Sequence, residues 1–280
     1  MTDDSRQLTR WFNSRILFGM KNPKGMIESP ASSNRVDRLS AFFRAFDLSV
    51  CMSDCPAPGA DARIIVLGDS RQSAKRLVLC TGSPESPAAE DNALVAASVN
   101  FGGPLNPLIA ALPGQVTVDL NEFPTLRAIT DAFVEEALNA RCGQSAALGR
   151  LCEVMLLMIL RQVIDGGATT PGLLAGLSHP ALHRALVAIH EAPDRPWRVE
   201  DLASVAGMSR SQFMASFRQT VGTTPSTYLT AWRLMLARRA LANGGKIKAI
   251  AQRVGFGSAS AFSRAYLRAF GYPPIVTRQS

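Results

Sequence analysis

The chain has 280 residues, 30 Lys and Arg against 22 Asp and Glu, and 47% hydrophobic residues, which is room for two domains with apolar cores. No apolar run approaches the ~20 residues of a membrane helix, and the start M-T-D-D-S-R-Q lacks a basic-then-apolar export signal, so no membrane partner and a cytoplasmic location are expected. Five Cys, an odd number, read as reduced thiols.

Residues 1–34 read as a flexible extension, with Trp11, Phe12, Ile16, Leu17 and Phe18 spaced for a short amphipathic helix and a Ser, Pro, Gly and Asn-rich linker after it. Residues 35–122 read as β-rich. A short opening helix at 38–46 puts Leu39, Phe42, Phe43 and Phe46 on one face. The runs 62–67 (A-R-I-I-V-L), 76–80 (R-L-V-L-C), 94–101 (L-V-A-A-S-V-N-F) and 115–120 (Q-V-T-V-D-L) have strand composition with turn punctuation between them. Cys51 and Cys55 flank M-S-D, and Cys80 ends a strand. These thiols are candidates for oxidant sensing, or for holding a metal together. Cys51-x3-Cys55 has no second pair at zinc spacing, however. Cys142 stands beside Arg141 near a helix end, and Cys152 lies in an apolar helix and reads as core.

Residues 123–194 turn helical, over 124–140, 145–164 and 180–192. The run 154–160 is more apolar than a one-faced surface helix needs, which leaves pairing across a homodimer and burial within its own domain both open. The three His are His179, His183 and His190. His179 and His183 share a helix face, but no third ligand is near, so no metal site and no cofactor are expected. No Ser-His-acid or phosphate-loop pattern occurs, and G-D-S at 68–70 lacks the flanks of a nucleophile elbow. No enzymatic activity is expected. The alternatives are an enzyme with its pocket in the β region, or an interaction module with a vestigial basic tail.

Residues 195–280 contain one pattern twice. Leu202, Ala203 and Gly207 match Ile250, Ala251 and Gly255 at an offset of 48, and Phe213, Phe217 and Gly222 match Phe262, Tyr266 and Gly271 at an offset of 49. Each copy reads as helix, Gly turn, helix, the pattern of a helix-turn-helix whose second helix enters the DNA major groove. Ser209 and Gln212 form a capping box, Ser258 caps the second copy, and Thr224-Pro225 starts a connecting helix that runs to about Asn243. Phe213, Phe217, Phe262 and Tyr266 are expected to face inward. The tail holds 13 Lys or Arg against Glu200 and Asp201 alone, a net +11 against −3 for the rest of the chain. That concentration is the footprint of phosphate binding.

The stretch 196–274 is similar to the DNA-binding domain of the AraC/XylS family of bacterial transcription regulators. The carrying residues are W-R-V-E-D-L-A-S-V-A-G-M-S-R-S-Q-F, F-R-Q-T-V-G-T-T-P-S-T-Y-L-T-A-W-R, A-R-R-A-L, I-A-Q-R-V-G-F-G-S-A-S-A-F-S-R-A-Y and F-G-Y-P-P. One departure is Thr277-Arg278, where the family has an aromatic-Arg pair. The resemblance implies a sequence-specific transcription regulator with double-stranded DNA as partner. Carried over by alignment, Arg210, Ser211, Met214 and Ala215 face DNA from the first recognition helix, and Ala259, Ser260, Ser263 and Arg264 from the second. Arg264 suits the O6 and N7 edge of guanine, with a phosphate as its other target. Arg218, Lys246, Lys248 and Arg268 are expected phosphate contacts, and Arg210 can serve there too.

The order of β region, helices and reader also resembles the branch of that family with a cupin-like amino-terminal sensor. It is carried by D-R-L-S at 37–40, N-P-L-I-A-A-L-P at 106–113, L-C-E-V-M-L-L-M-I-L-R ending at Arg161, and L-S-H-P-A-L-H-R-A-L-V-A-I-H-E-A-P-D-R-P-W ending at Trp197. The β portion is shorter than a full cupin barrel and lacks that branch's G-D-x-x-x-x-P stretch and following His. The expected fold is α+β: a small, truncated cupin-like domain, a helical linker at 123–194, and an all-α double helix-turn-helix domain. A small-molecule effector or thiol oxidation acting on 35–122, RNA polymerase, and a second copy of the chain are the further partners and signals this implies.

Overall fold

The computed structural model describes residues 37–45, 49–52, 60–69, 73–81, 92–101, 106–139, 141–167 and 170–277. The expected 1–34 extension, Cys55 and Arg278 lie outside the described residues. Helix α1 (Ser40–Ala45) starts where the Asp37 carboxylate accepts from the backbone N–H groups of Leu39 and Ser40 and from the Ser40 hydroxyl. Those bonds, the Ser40 hydroxyl's first, hold the Asp37 carboxyl below the usual carboxylate range.

Five antiparallel strands form one sheet: β1 (Ser49–Met52), β2 (Ala62–Gly68), β3 (Ala74–Thr81), β4 (Ala93–Asn100) and β5 (Gln115–Asp119), in the order β1-β4-β2-β3-β5. The four runs legible in the sequence are β2 to β5, and β1 is an addition. Strand alternation sorts the sheet into two faces. Ala62, Ile64 and Val66 of β2 sit opposite Leu79 and Leu77 of β3 and opposite Val99, Ala97 and Val95 of β4, all buried. The other face buries Ile65, Leu67, Val78 and Cys80 in a smaller cluster. Central strands with both faces buried explain why β2 reads as a continuous apolar run rather than an alternating one.

The first face packs on helices α3 (Pro124–Leu138) and α4 (Gln144–Asp165). In α4, Met155, Leu156, Ile159 and Leu160 are buried in the common core, while Val154 is 41% exposed. The apolar run 154–160 is thus largely used by the chain's own core. Between sheet and reader lie α2 (Pro107–Ala111), α5 (Leu173–Ser178) and α6 (Leu182–Glu191). Asn106 is buried and starts α2. Its side chain accepts from the Leu108 N–H at 2.9 Å and donates to the Phe101 carbonyl at 2.9 Å, fixing the helix to the end of β4.

The remainder is helical: α7 (Val199–Ala206), α8 (Arg210–Val221), α9 (Pro225–Ala242), α10 (Ile247–Arg253), α11 (Ala259–Phe270) and α12 (Pro274–Thr277). No strand occurs after residue 180 among the described residues. The apolar cores do not divide where the helix-turn-helix region begins. One cluster runs from the sheet through α3 to α6 and on to Leu202, Phe213, Phe217, Tyr228 and Trp232. A separate one holds Leu234, Leu241, Ile250, Ala251, Val254, Phe262 and Tyr266.

Candidate nucleic-acid interface

The two sequence copies fold as two helix-turn-helix units that share the turn bond and the serine cap of the second helix. In the first, α7 ends at Gly207 with φ 69°, and the Met208 N–H returns to the Ala203 carbonyl at 2.9 Å. In the second, α10 ends before Gly255 with φ 85°, and the Phe256 N–H returns to the Ala251 carbonyl at 2.8 Å. These left-handed positions suit a residue without Cβ. At Gly255 the restriction is doubled, since a Cβ there would stand 2.7 Å from the backbone of Asp194.

Each second helix is capped by a serine. The Ser209 Oγ accepts from the Gln212 N–H and donates to Gln212 Oε1, whose oxygen also accepts from the Ser209 N–H. The Ser258 Oγ accepts from the Ala261 N–H at 3.1 Å. Inside, Phe213 and Phe217 lie 5.5 Å apart at 57°, and Phe262 and Tyr266 repeat both values. With these rings buried, the opposite faces of α8 and α11 are left to solvent. Arg210, Ser211, Ala215 and Arg218 are exposed on α8, and Met214 is half-buried. Ser260, Arg264 and Arg268 are exposed on α11, with Ala259 and Ser263 half-buried. Lys246 and Lys248 are exposed at the start of α10.

Arg210 is held: its Nε meets Glu200 Oε1 of α7 at 2.8 Å. One of the two acids in the tail therefore orients a cation at the head of the first recognition helix. Between the units, α9 is capped by the Thr224 hydroxyl, carries Pro225 in its first turn, and at 1.5 Å per residue spans about 27 Å. Arg233 of α9 donates to the carbonyls of Pro193 and Arg195 at 2.6 and 2.9 Å. At the far end, where the sequence departs from the family pattern, the Thr277 hydroxyl meets the Tyr266 phenol at 2.7 Å, and burial pushes that phenol up to about 12.

The histidines are structural. His179 Nδ1 accepts from the N–H groups of Ala181 and Leu182, and His183 Nδ1 bonds to the His179 carbonyl. His190 is buried, stacks on Trp232 with centroids 4.1 Å apart, and meets the Tyr228 hydroxyl at 2.7 Å. Burial pushes its pKa down to about 3, so the ring is neutral. Nothing in the sequence pairs His190 with Tyr228, 38 positions away. Among the described residues no group of three or more His, Cys, Asp or Glu could hold a metal ion.

The thiols are not assembled. Cys51 pairs with Ser98, Ser98 with Arg63, and Arg63 with Cys80, so Cys51 and Cys80 lie in one row three strand spacings apart, roughly 14 Å. The expected alliance of Cys80 with Cys51 is therefore absent, because β4 and β2 run between their strands. Cys51 is exposed at the sheet edge and Cys80 is buried.

Residues 202–280 match the family described as a helix-turn-helix domain, and residues 49–165 match the cupin family. The chain is 36% identical over 190 residues to an AraC-like transcription regulator of Streptomyces lividans, covering 66% of this chain and 62% of that protein. It is 43% identical over 145 residues to an AraC-like transcription regulator of Streptomyces antibioticus, covering 51% and 48%. It is 34% identical over 154 residues to the RCS-specific HTH-type transcriptional activator RclR of Escherichia coli K12, covering 55% and 54%. The matched region thus spans about half to three-fifths of these relatives' length.

Proposed function

We infer that this chain, which carries the helix-turn-helix and cupin domains of AraC-type regulators, is a sequence-specific DNA-binding transcription regulator that reads two adjacent major-groove segments. The observation that carries this reading is the duplication of the helix-turn-helix, with the same turn bond and serine cap in each unit, Arg, Ser and small residues on both exposed faces, and a stiff helix holding them at a set separation. Ser211 and Met214, flanked by Arg210 and Ala215, read one segment. Ser260, Ser263 and Arg264, with Ala259 leaving room at the helix start, read the next. Arg218, Lys246, Lys248 and Arg268 contact phosphates, which fix register without carrying sequence information. The regulator acts without enzymatic chemistry of its own, at the nucleoid, and RNA polymerase is its downstream partner.

Residues 35–122 act as the sensor for a small molecule or an oxidant, with Cys51, Cys55 and Cys80 as the candidate thiols; Cys51 is exposed and Cys80 buried. Homodimerisation through 123–194 is supported by the exposed Val154 and Leu138 on α4 and α3. The test uses a duplex selected from random-sequence DNA by the full chain. Arg264→Ala lowers affinity for it by about 1–3 kcal/mol and relaxes preference at one base. Lys246→Ala weakens selected and random duplexes alike and reduces the salt slope by about one. Equal losses on both duplexes for both variants would remove Arg264 as a base reader.

A further inference from the structure

We propose that the two reading heads are regulated unequally: the first is mechanically coupled to the β region through a glycine joint in α5, and the second is not. The joint is built at backbone distance. The Gly172 N–H, just before α5, donates to the Thr220 carbonyl in the last turn of recognition helix α8 at 2.9 Å. On its other side Gly172 faces α2, where a Cβ would stand 3.0 Å from the Ala111 Cβ and 3.3 Å from its Cα. One turn on, Gly176 is wedged so that a Cβ would lie 2.5 Å from Leu186 Cδ1 and 2.9 Å from Val221 Cγ2, at the end of α8.

Behind this joint the path to the sheet is short and rigid. Ala111 belongs to α2, which Asn106 bonds to the Phe101 carbonyl, and the Phe101 N–H donates to the Asp61 carboxylate at 2.8 Å beside β2. Asp61, Phe101, Asn106 and Ala111 are all buried. Close-packed elements with no room for side chains between them move together rather than independently. The apolar cores agree with this division. Phe213 and Phe217 of α8 belong to the cluster that begins in the sheet, whereas Phe262 and Tyr266 of α11 belong to their own. Among the described residues the second head approaches the linker near Asp194, where a Cβ on Gly255 would stand 2.7 Å from the backbone, and it meets the first through α9, whose Leu236 packs against both clusters. A signal that shifts α2 therefore reaches α8 and leaves α11 in place. A two-segment operator read by one adjustable and one fixed head stays bound at one half while the other is switched.

The experiment uses the full chain carrying Ala111→Val, which enlarges the α2 side of the joint, and separately Gly176→Ala, which enlarges the α8 side. Gly149→Ala is the control, since a Cβ there meets nothing within 4 Å. Amide hydrogen exchange without DNA is measured over 210–222 and 259–270. Both variants raise exchange in 210–222 by about tenfold or more and leave 259–270 within about twofold, while the control changes neither. Unchanged exchange in 210–222 for Ala111→Val, or equal increases in both helices, overturns the coupling. A second arm rests on the DNA-reading function. In footprints on a duplex selected by the wild-type chain, the variants weaken protection of one segment and spare the other. A wild-type chain that protects no duplex would sink the DNA reading, while the exchange result would still decide the joint.

Discussion

His190 makes the stability of the shared core depend on pH in a way that can be worked out. The ring is stacked on Trp232 and bonded to the Tyr228 hydroxyl. Its pKa is pushed from 6.5 to about 3 by burial alone. The folded chain holds the neutral ring, and the unfolded chain takes up a proton as pH falls through 6.5. Stability of this origin is therefore intact above 6.5 and lost progressively between 6.5 and 3. Between pH 7 and pH 5 the loss is about 2 kcal/mol, and the full window is worth about 5 kcal/mol at 1.36 kcal/mol per pKa unit. His190→Gln keeps a partner for the Tyr228 hydroxyl and cannot titrate. It costs some stability at pH 7 through the lost stacking, but it removes this part of the slope. Urea unfolding at pH 7 and pH 5 should show the wild type losing about 2 kcal/mol more than the variant. Parallel losses in the two proteins would refute the reasoning, because His190 would then be solvated or already charged in the folded chain.

Ser209→Ala removes the capping box of the first recognition helix, and it should cost about 1 kcal/mol of stability in the same unfolding assay while leaving the α11 unit's exchange unchanged. Thr277→Val removes the partner of the Tyr266 hydroxyl at the far end and should destabilise the second unit by about 1 kcal/mol, seen as faster amide exchange confined to 247–277. Mild oxidant should alter operator binding by the wild type but not by a Cys51/Cys55/Cys80→Ser variant if a thiol is the sensor; an unaltered wild type leaves a small molecule as the signal. Sedimentation at micromolar concentration should give a dimer mass, and a monomer would end the dimer reading.

The reader was legible because its determinants are local. A cap acts within three positions, and a left-handed turn within one, so Ser209, Gln212, Gly207, Ser258 and Gly255 announce their roles in sequence. The strands β2 to β5 were legible for a related reason, since β-branched runs between turn residues mark them. Two short elements, β1 and α5, were not, although α1 and β5 of similar length were. β1 (S-V-C-M) and α5 (L-L-A-G-L-S) are too short for a period to show, and α5 owes its helix to packing on α2, α6 and α8. What depended on tertiary placement was also hidden. Cys51 and Cys80 look like partners in a short stretch of chain, yet the sheet order puts two strands between them. The Glu200–Arg210 pair, the His190–Tyr228 bond and the continuity of the first core join residues whose spacing carries no signal. Base reading by α8 and α11 has the same character, because exposure shows which side chains are available and only DNA shows which are used.

The most direct measurement is selection of binding sites from random-sequence DNA by the full chain at moderate salt, followed by footprinting of a selected duplex. Two short protected segments on one face of the helix, about one turn or ~34 Å apart, are predicted, with Arg264→Ala relaxing the sequence of only one of them. A chain that enriches no sequence over random DNA, or that protects a single segment indifferent to substitutions in both α8 and α11, would contradict the account.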